Sequence, residues 1–170
     1  MEETFSIRPT ERADRNWVAH FLDEHWGSTR IVSRGKDYLA HLLPGFIAVR
    51  DEGENEEPKP IGLATYNIEG DQCELMTINS LVKHQGVGTA LLDAVKAAAT
   101  EAECKRLWVI TTNDNLDALR FYQKRGFRLV AVHPNALDAS RRMKPEIPLF
   151  GHYGIPLRDE IELEIKLPAR

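Results

Sequence analysis

The chain predicts a mixed α/β (α+β) fold, a sheet of about seven strands with four helices, and three observations predict it. Short apolar runs bounded by glycine, proline and asparagine recur along its length. Residues 86–102 and 116–125 repeat their apolar side chains at helical spacing. These helices alternate with strands after a meander, the order of strand–helix–strand units joined to an antiparallel part. The 170 residues fit one domain, and neither an internal repeat nor a second domain is visible.

The elements follow in order. Residues 5–9 alternate briefly and break at Pro9, a first strand. Thr10 or Asp14 can cap a helix over 11–26 that carries Trp17, Phe21 and Leu22 on one face, and Gly27-Ser28-Thr29 ends it. A short second helix is expected over 36–42, closed by Pro44-Gly45. Residues 46–49 read as a buried strand and 51–60, rich in Glu, Pro and Gly, as an exposed loop. Strands over 61–68 and 73–79 are joined by the turn Glu69-Gly70-Asp71. The 86–102 helix carries Leu91, Leu92, Val95 and Ala99, and a strand follows at 107–111. The next helix has Leu119 and Tyr122 three apart and stops at Gly126; further strands lie at 127–132 and 161–167. Between those two strands, 133–158 reads as a long connection with Pro134, Pro145, Pro148 and Pro156, and such connections are usually functional or mobile.

A hydrophobic fraction of 42%, a charged fraction of 28% and a net charge of −4 suit a soluble globular protein and argue against nucleic acid as a partner. The local basic group Arg120, Lys124, Arg125 and Arg128 reads as a solvated helix face. The amino terminus lacks a signal-peptide pattern, and no apolar run approaches the roughly 18 residues of a membrane span, so no membrane association is expected. Cys73 and Cys104 make neither a disulfide framework nor a metal cluster, and a reducing cytoplasm is the simplest expectation. His20 and His25 are five apart, off one helix face, and no metal is expected.

Gly86-Val87-Gly88-Thr89-Ala90-Leu91 follows a strand and opens a helix. Unpaired amides at a helix start, with the positive end of the helix dipole, suit a phosphate; a tight turn without a ligand is the equal alternative. Leu91 stands where a dinucleotide fingerprint needs glycine, and the Gly-Lys-Ser/Thr of a Walker loop is missing. Asn113-x-Asn115-x-Asp117 fails as a calcium loop because Ala118 replaces glycine and Lys124 replaces glutamate.

Lys83-His84-Gln85-Gly86-Val87-Gly88, followed by Thr89-Ala90-Leu91-Leu92, resembles the pyrophosphate loop of the GNAT acetyltransferase superfamily, Arg/Gln-x-x-Gly-x-Gly/Ala. Lys83 departs from that pattern, keeping a cation but losing a forked donor. Asn115-x-x-Ala118-x-x-Phe121-Tyr122-x-x-x-Gly126-Phe127 resembles the second family signature, and Ile7-Arg8-Pro9 with Asp14 resembles its first strand and helix start. The resemblance spans nearly the whole chain. It implies a mostly antiparallel sheet whose fourth and fifth strands splay, with acetyl-CoA as co-substrate and direct attack by an amine in a ternary complex.

In that family the amides of about Gln85 to Thr89 hold the pyrophosphate, with Lys83 and His84 in the same loop, and Asn115 matches a position that bonds nearby cofactor atoms. A backbone N–H around Ile78 or Asn79 would serve the oxyanion, and that strand edge would pair with pantetheine. An amine with a pKa near 10.4 must lose a proton and a thiol with a pKa near 8.5 must gain one. Tyr122 matches the family's acid; a core tyrosine is its other reading. Glu74 stands where some members carry a water-mediated base, and an exposed strand-start carboxylate is the alternative.

The acceptor would bind between the first helix pair and the connection before the last strand. His25 and Trp26 form a pocket wall or a packed helix end. His152 and Tyr153 lie in the 133–158 connection, read as a lid or acceptor wall. Asp159 and Glu160 would draw a cationic amine or simply end a strand. The expected partner is a small-molecule amine or a protein amino group, with a homodimer as a compatible assembly. A non-catalytic acyl-CoA-binding or sensing domain is the rival function.

Overall fold

The computed structural model describes residues 4–169. Its elements are β1 (Phe5–Pro9), α1 (Arg15–Trp26), β2 (Arg30–Ser33), β3 (Lys36–Leu39), β4 (Gly45–Arg50), β5 (Lys59–Glu69), β6 (Gln72–Ser80), α2 (Val87–Glu101), β7 (Arg106–Thr112), α3 (Leu116–Lys124), β8 (Arg128–His133), α4 (Ala136–Met143) and β9 (Glu160–Lys166). Seven strands form one sheet in the order β1-β4-β5-β6-β7-β9-β8, and β2 and β3 form a separate hairpin. Every pairing is antiparallel except β6 with β7. Among the described residues no helix is long and apolar enough to cross a membrane.

The parallel pair is short. Partners run from Gln72–Arg106 to Glu74–Trp108 and stop. Immediately beyond, the β5–β6 register slips: Thr65 faces Thr77 while Tyr66 faces Leu75, leaving Met76 as an extra residue. A bulge bends its strand and ends regular pairing. The two strands therefore part, as the resemblance implied, leaving one edge of β6 without a strand partner beyond Glu74.

Two apolar layers hold the sheet. On one face α2 buries Val87, Leu91, Leu92, Val95 and Ala99 against Ile61, Ala64, Leu75 and Leu107, and Tyr122 and Phe127 extend this layer. On the other, α1 buries Val18, Phe21 and Leu22 against Ile47 and Leu63. Alternation on β9 divides its residues: Ile161, Leu163 and Ile165 join the α2 layer, whereas Glu160, Glu162 and Glu164 face the other way.

Most expected elements lie where their patterns put them, and two do not. The helix expected over 36–42 is a β-hairpin ending in a single 3₁₀ turn at Ala40–Leu42. Arg34 and Gly35 both take positive φ, 51° and 73°, the backbone of a two-residue hairpin turn whose twist matches its strands. The connection over 133–158 contains α4, so the fourth helix is a different one. Its amino end is set by Asn135, whose N–H donates to Asp159 Oδ1 at 2.9 Å. Beyond it, Arg141 donates to the carbonyls of Ile147, Pro148 and Leu157 and pins the chain down. The helix-start assignment also changes. Asp14 accepts from the Glu11 amide at 2.7 Å and forks onto Arg8 at 2.7 and 2.9 Å; neither it nor Thr10 caps α1 with a side chain.

Leu91 is fully buried between α2 and the sheet. Leu91→Ala should lower unfolding free energy by about 2–5 kcal/mol, measured by urea denaturation.

Candidate active site

The parting of β6 and β7 gathers most of the residues singled out in the sequence. β6 passes through Lys83, His84, Gln85 and Gly86, all exposed, into α2. Gly86 caps the helix with φ 76°, and Gly88 lets Phe121 approach, since a Cβ there would lie 3.3 Å from its ring. Ala90 makes the first intrahelical bond, to the Gly86 carbonyl at 2.9 Å. The amides of Gly86, Val87, Gly88 and Thr89 thus precede the helical ladder and converge at its start.

Arg125 stands beside this turn. It stacks 3.6 Å over the Phe121 ring, donates to the Phe121 carbonyl, and forks onto Thr89 Oγ1 at 2.9 and 2.7 Å. A cation held at a helix's positive end is unfavourable by itself and complementary to an anion there. The solvated-face reading of Arg125 fails because it is the first residue beyond α3 and turns back under that helix.

Asn115 caps α3, its Oδ1 accepting from the Ala118 amide at 3.2 Å. Tyr122 is 5% exposed, packed on Phe121 and Phe127, and makes no hydrogen bond through its hydroxyl among the described residues. Burial pushes its phenol well above the ordinary 10, so it holds its proton. On β6, Ile78 is half-buried against the α2 layer, and the Asn79 Oδ1 accepts from Trp26 Nε1. That bond fastens the end of α1 to the free stretch of β6. His25 packs against Phe21 with its ring tilted by 46° and centroids 4.4 Å apart, and is otherwise exposed.

Glu74 is 5% exposed, not a solvated strand start. Its Oε1 accepts from Ser33 Oγ in the hairpin. Burial, with Glu160 and Glu162 nearby, raises its carboxyl from an ordinary 4.5 to about 7, against the opposing pull of Ser33 and Arg34. Its neighbour Tyr38 is raised by burial and by the Glu74 charge.

His152 and Tyr153 sit elsewhere. The His152 amide donates to Asp114 Oδ2 at 2.7 Å and Tyr153 Oη donates to Asp117 at 3.1 Å. Both are exposed at the head of α3, held to Asp114 and Asp117 on either side of Asn115. Ser33 and Arg34 are not marked by the sequence pattern, because residues 36–42 of their hairpin read as helix. The available signal was Arg34-Gly35 between two short β-prone runs.

The acetyltransferase (GNAT) family pattern matches residues 10–127, and the chain belongs to that family. It is 41% identical over 155 residues to the uncharacterized protein YdhI of Bacillus subtilis, covering 91% of this chain and 94% of that one. In fold it is similar to the IAA acetyltransferase of Bacillus cereus, with a TM-score of 0.65 at 20% identity over 96% of this chain and 100% of the other. It is also similar to a GNAT family acetyltransferase of Elizabethkingia anophelis solved with acetyl-CoA bound, with a TM-score of 0.64 at 21% identity over 96% and 98% of the two chains.

Because the folded Glu74 carboxyl is raised, its stabilising neutral form is fully present below about 4.5 and is lost as pH rises through about 7. Unfolding free energy of the wild type should therefore fall relative to Glu74→Gln between pH 5 and pH 8. Urea titrations at the two pH values check this, and an equal change in unfolding free energy for both proteins would refute it.

Proposed function

We propose that the protein transfers the acetyl group of acetyl-CoA to a primary amine by direct attack in a ternary complex. The observation that carries the reading is the parting of β6 and β7, with the free amides of α2 at one end and Tyr122 and Glu74 on its two sides. The amides of Gln85 to Thr89 hold the pyrophosphate, with Arg125 as the partnering cation and Lys83 and His84 at the loop's exposed edge. Pantetheine lies along the unpaired edge of β6 as an added strand, and Asn115 bonds it from the opposite side.

The amine nitrogen attacks the thioester carbon and forms the C–N bond. A main-chain N–H at Ile78 or Asn79 stabilises the resulting oxyanion, and the Trp26–Asn79 bond keeps that strand still. The C–S bond then breaks with its electron pair on sulfur, which takes the Tyr122 proton. The proton lost by the amine passes to Glu74, whose raised carboxyl suits a base working near neutrality. Glu74 returns its proton to solvent and Tyr122 recovers one, leaving an amide and free coenzyme A. The two free cysteines are buried, in keeping with a cytoplasmic protein.

Calorimetry with acetyl-CoA tests the premise, and undetectable binding overturns it. Tyr122→Phe should lower turnover by about a hundredfold with acetyl-CoA affinity unchanged, read by release of free thiol. Arg125→Ala should weaken acetyl-CoA binding by about tenfold, with Arg125→Lys retaining part of it; unchanged affinity in both would remove Arg125 from the phosphate site.

A further inference from the structure

On the Glu74 face of the sheet, between the β2–β3 hairpin and α4, lies a cavity of about 220 Å³. Its polar lining comprises Arg34, His133, Ser140 and Glu160. Val32, Ala136, Ala139 and Met143 supply an apolar wall.

The glutamates on the floor are unequally matched. Glu162 takes Arg34 at 2.6 Å, Arg106 at 3.0 Å and His133 at 3.2 Å. Glu164 takes Arg106 at 2.6 Å and Lys166 at 3.2 Å. Glu160 is 6% exposed, makes no ion pair among the described residues, and receives only the Ser140 hydroxyl at 3.5 Å. Burying a carboxylate without a cation is costly, and this one borders the empty volume. Arg34, already paired with Glu162, opposes a second positive charge. The cavity thus suits one cationic centre with a short apolar body.

Size and closure narrow the choice. Pockets for drug-sized ligands run from about 300 to 1,000 Å³, above the volume here. Lys144, 9% exposed, donates from Nζ to the Arg30 carbonyl at 3.1 Å and ties the end of α4 to β2. An extended peptide crossing this gap would have to break that tie. Ser33, which donates to Glu74, stands between Val32 and Arg34 of the cavity lining, so the hairpin joins the cavity to the base of the proposed reaction.

We propose that this cavity receives the acceptor, and that the acceptor is a compact aliphatic monoamine held as a cation on Glu160 rather than a peptide or protein amino terminus. The proposal rests on the acetyl-transfer reading. The ammonium docks on Glu160 with its methylenes on Val32, Ala136, Ala139 and Met143, and gives a first proton through Glu74 to solvent before attack, so that Glu74 is again a carboxylate when the nitrogen loses its second proton after the C–N bond forms.

The test is a panel of n-butylamine, short amino alcohols, α,ω-diamines, α-amino acids and tetrapeptides with free amino termini, followed by thiol release. Butylamine and the amino alcohols should be used best. Glu160→Gln should raise their KM by about tenfold with the acetyl-CoA KM unchanged. Ala139→Phe, which fills the apolar wall, should abolish amine use while acetyl-CoA still binds. Tetrapeptides or diamines as best acceptors, or an unchanged amine KM in Glu160→Gln, would overturn the proposal. Amide NMR with butylamine alone separates the two readings. Shifts over α4 without acetyl-CoA binding would sink the transfer reading and keep the amine site. Acetyl-CoA binding with no butylamine shift or acetylation would sink the amine site alone.

Discussion

The position at which β6 stops pairing with β7 governs the rest of the molecule. Three parallel partners hold the strands together up to Glu74 and Trp108, and the extra residue at Met76 then bends β6 away. Had the ladder continued, the backbone groups beyond Glu74 would be used up within the sheet. Because α2 follows β6 after only six residues, the same bend also aims its unpaired amides. Leu91, Leu92 and Val95 lock that direction by packing on β5 and β6. A free strand edge and a cluster of unpaired helix-start amides thus follow from one irregularity.

The two faces of the sheet are built on different terms. The α2 face is mostly apolar, and its stability is that of ordinary burial. The opposite face is apolar only beneath α1; farther along it carries Glu74, Glu160 and Glu162, each 6% exposed or less. Buried carboxylates cost folding energy unless matched, and the hairpin supplies much of the match through Ser33 and Arg34. The hairpin is therefore less a decoration on α1 than the lid that makes a polar floor tolerable. The match is incomplete: Glu74 takes the Ser33 hydroxyl and Glu160 only that of Ser140.

Legibility in the sequence followed the range of the interactions. α2, α3 and the sheet strands declare themselves through local periodicity, and the loop and α3 signatures through local spacing. Residues 36–42 misled because Leu39, Leu42 and Leu43 fit a helical stripe, while the decisive fact is the positive φ at Arg34 and Gly35. α4 was hidden because its one fully apolar buried residue, Leu137, makes no stripe and prolines stand on either side. Arg125 lies just past a helix end, where face assignment has no meaning, and its partner Thr89 is 36 residues away. The burial of Glu74 depends on Ser33, 41 residues earlier, through a hairpin that periodicity did not reveal. Trp26 met Asn79 as a pair that neither segment announces by itself.

Burial also separates the two groups that the proposed transfer uses as acid and base. Tyr122 belongs to the α2 layer together with Cys73 and Leu75, the neighbours of Glu74 on β6, so Glu74 projects from the other face. The same physical cause acts on both with opposite use. Desolvation disfavours the phenolate, keeping Tyr122 a proton donor at any ordinary pH, and it lifts Glu74 only to about 7, where the carboxylate still forms. An amine coming from the hairpin side would lose its proton there, and sulfur would gain one from the α2 side. With Tyr122 and Glu74 on opposite faces, neither would neutralise the other directly in the proposed transfer, and the gap that opens between β6 and β7 just beyond Glu74 is where the substrate would meet both.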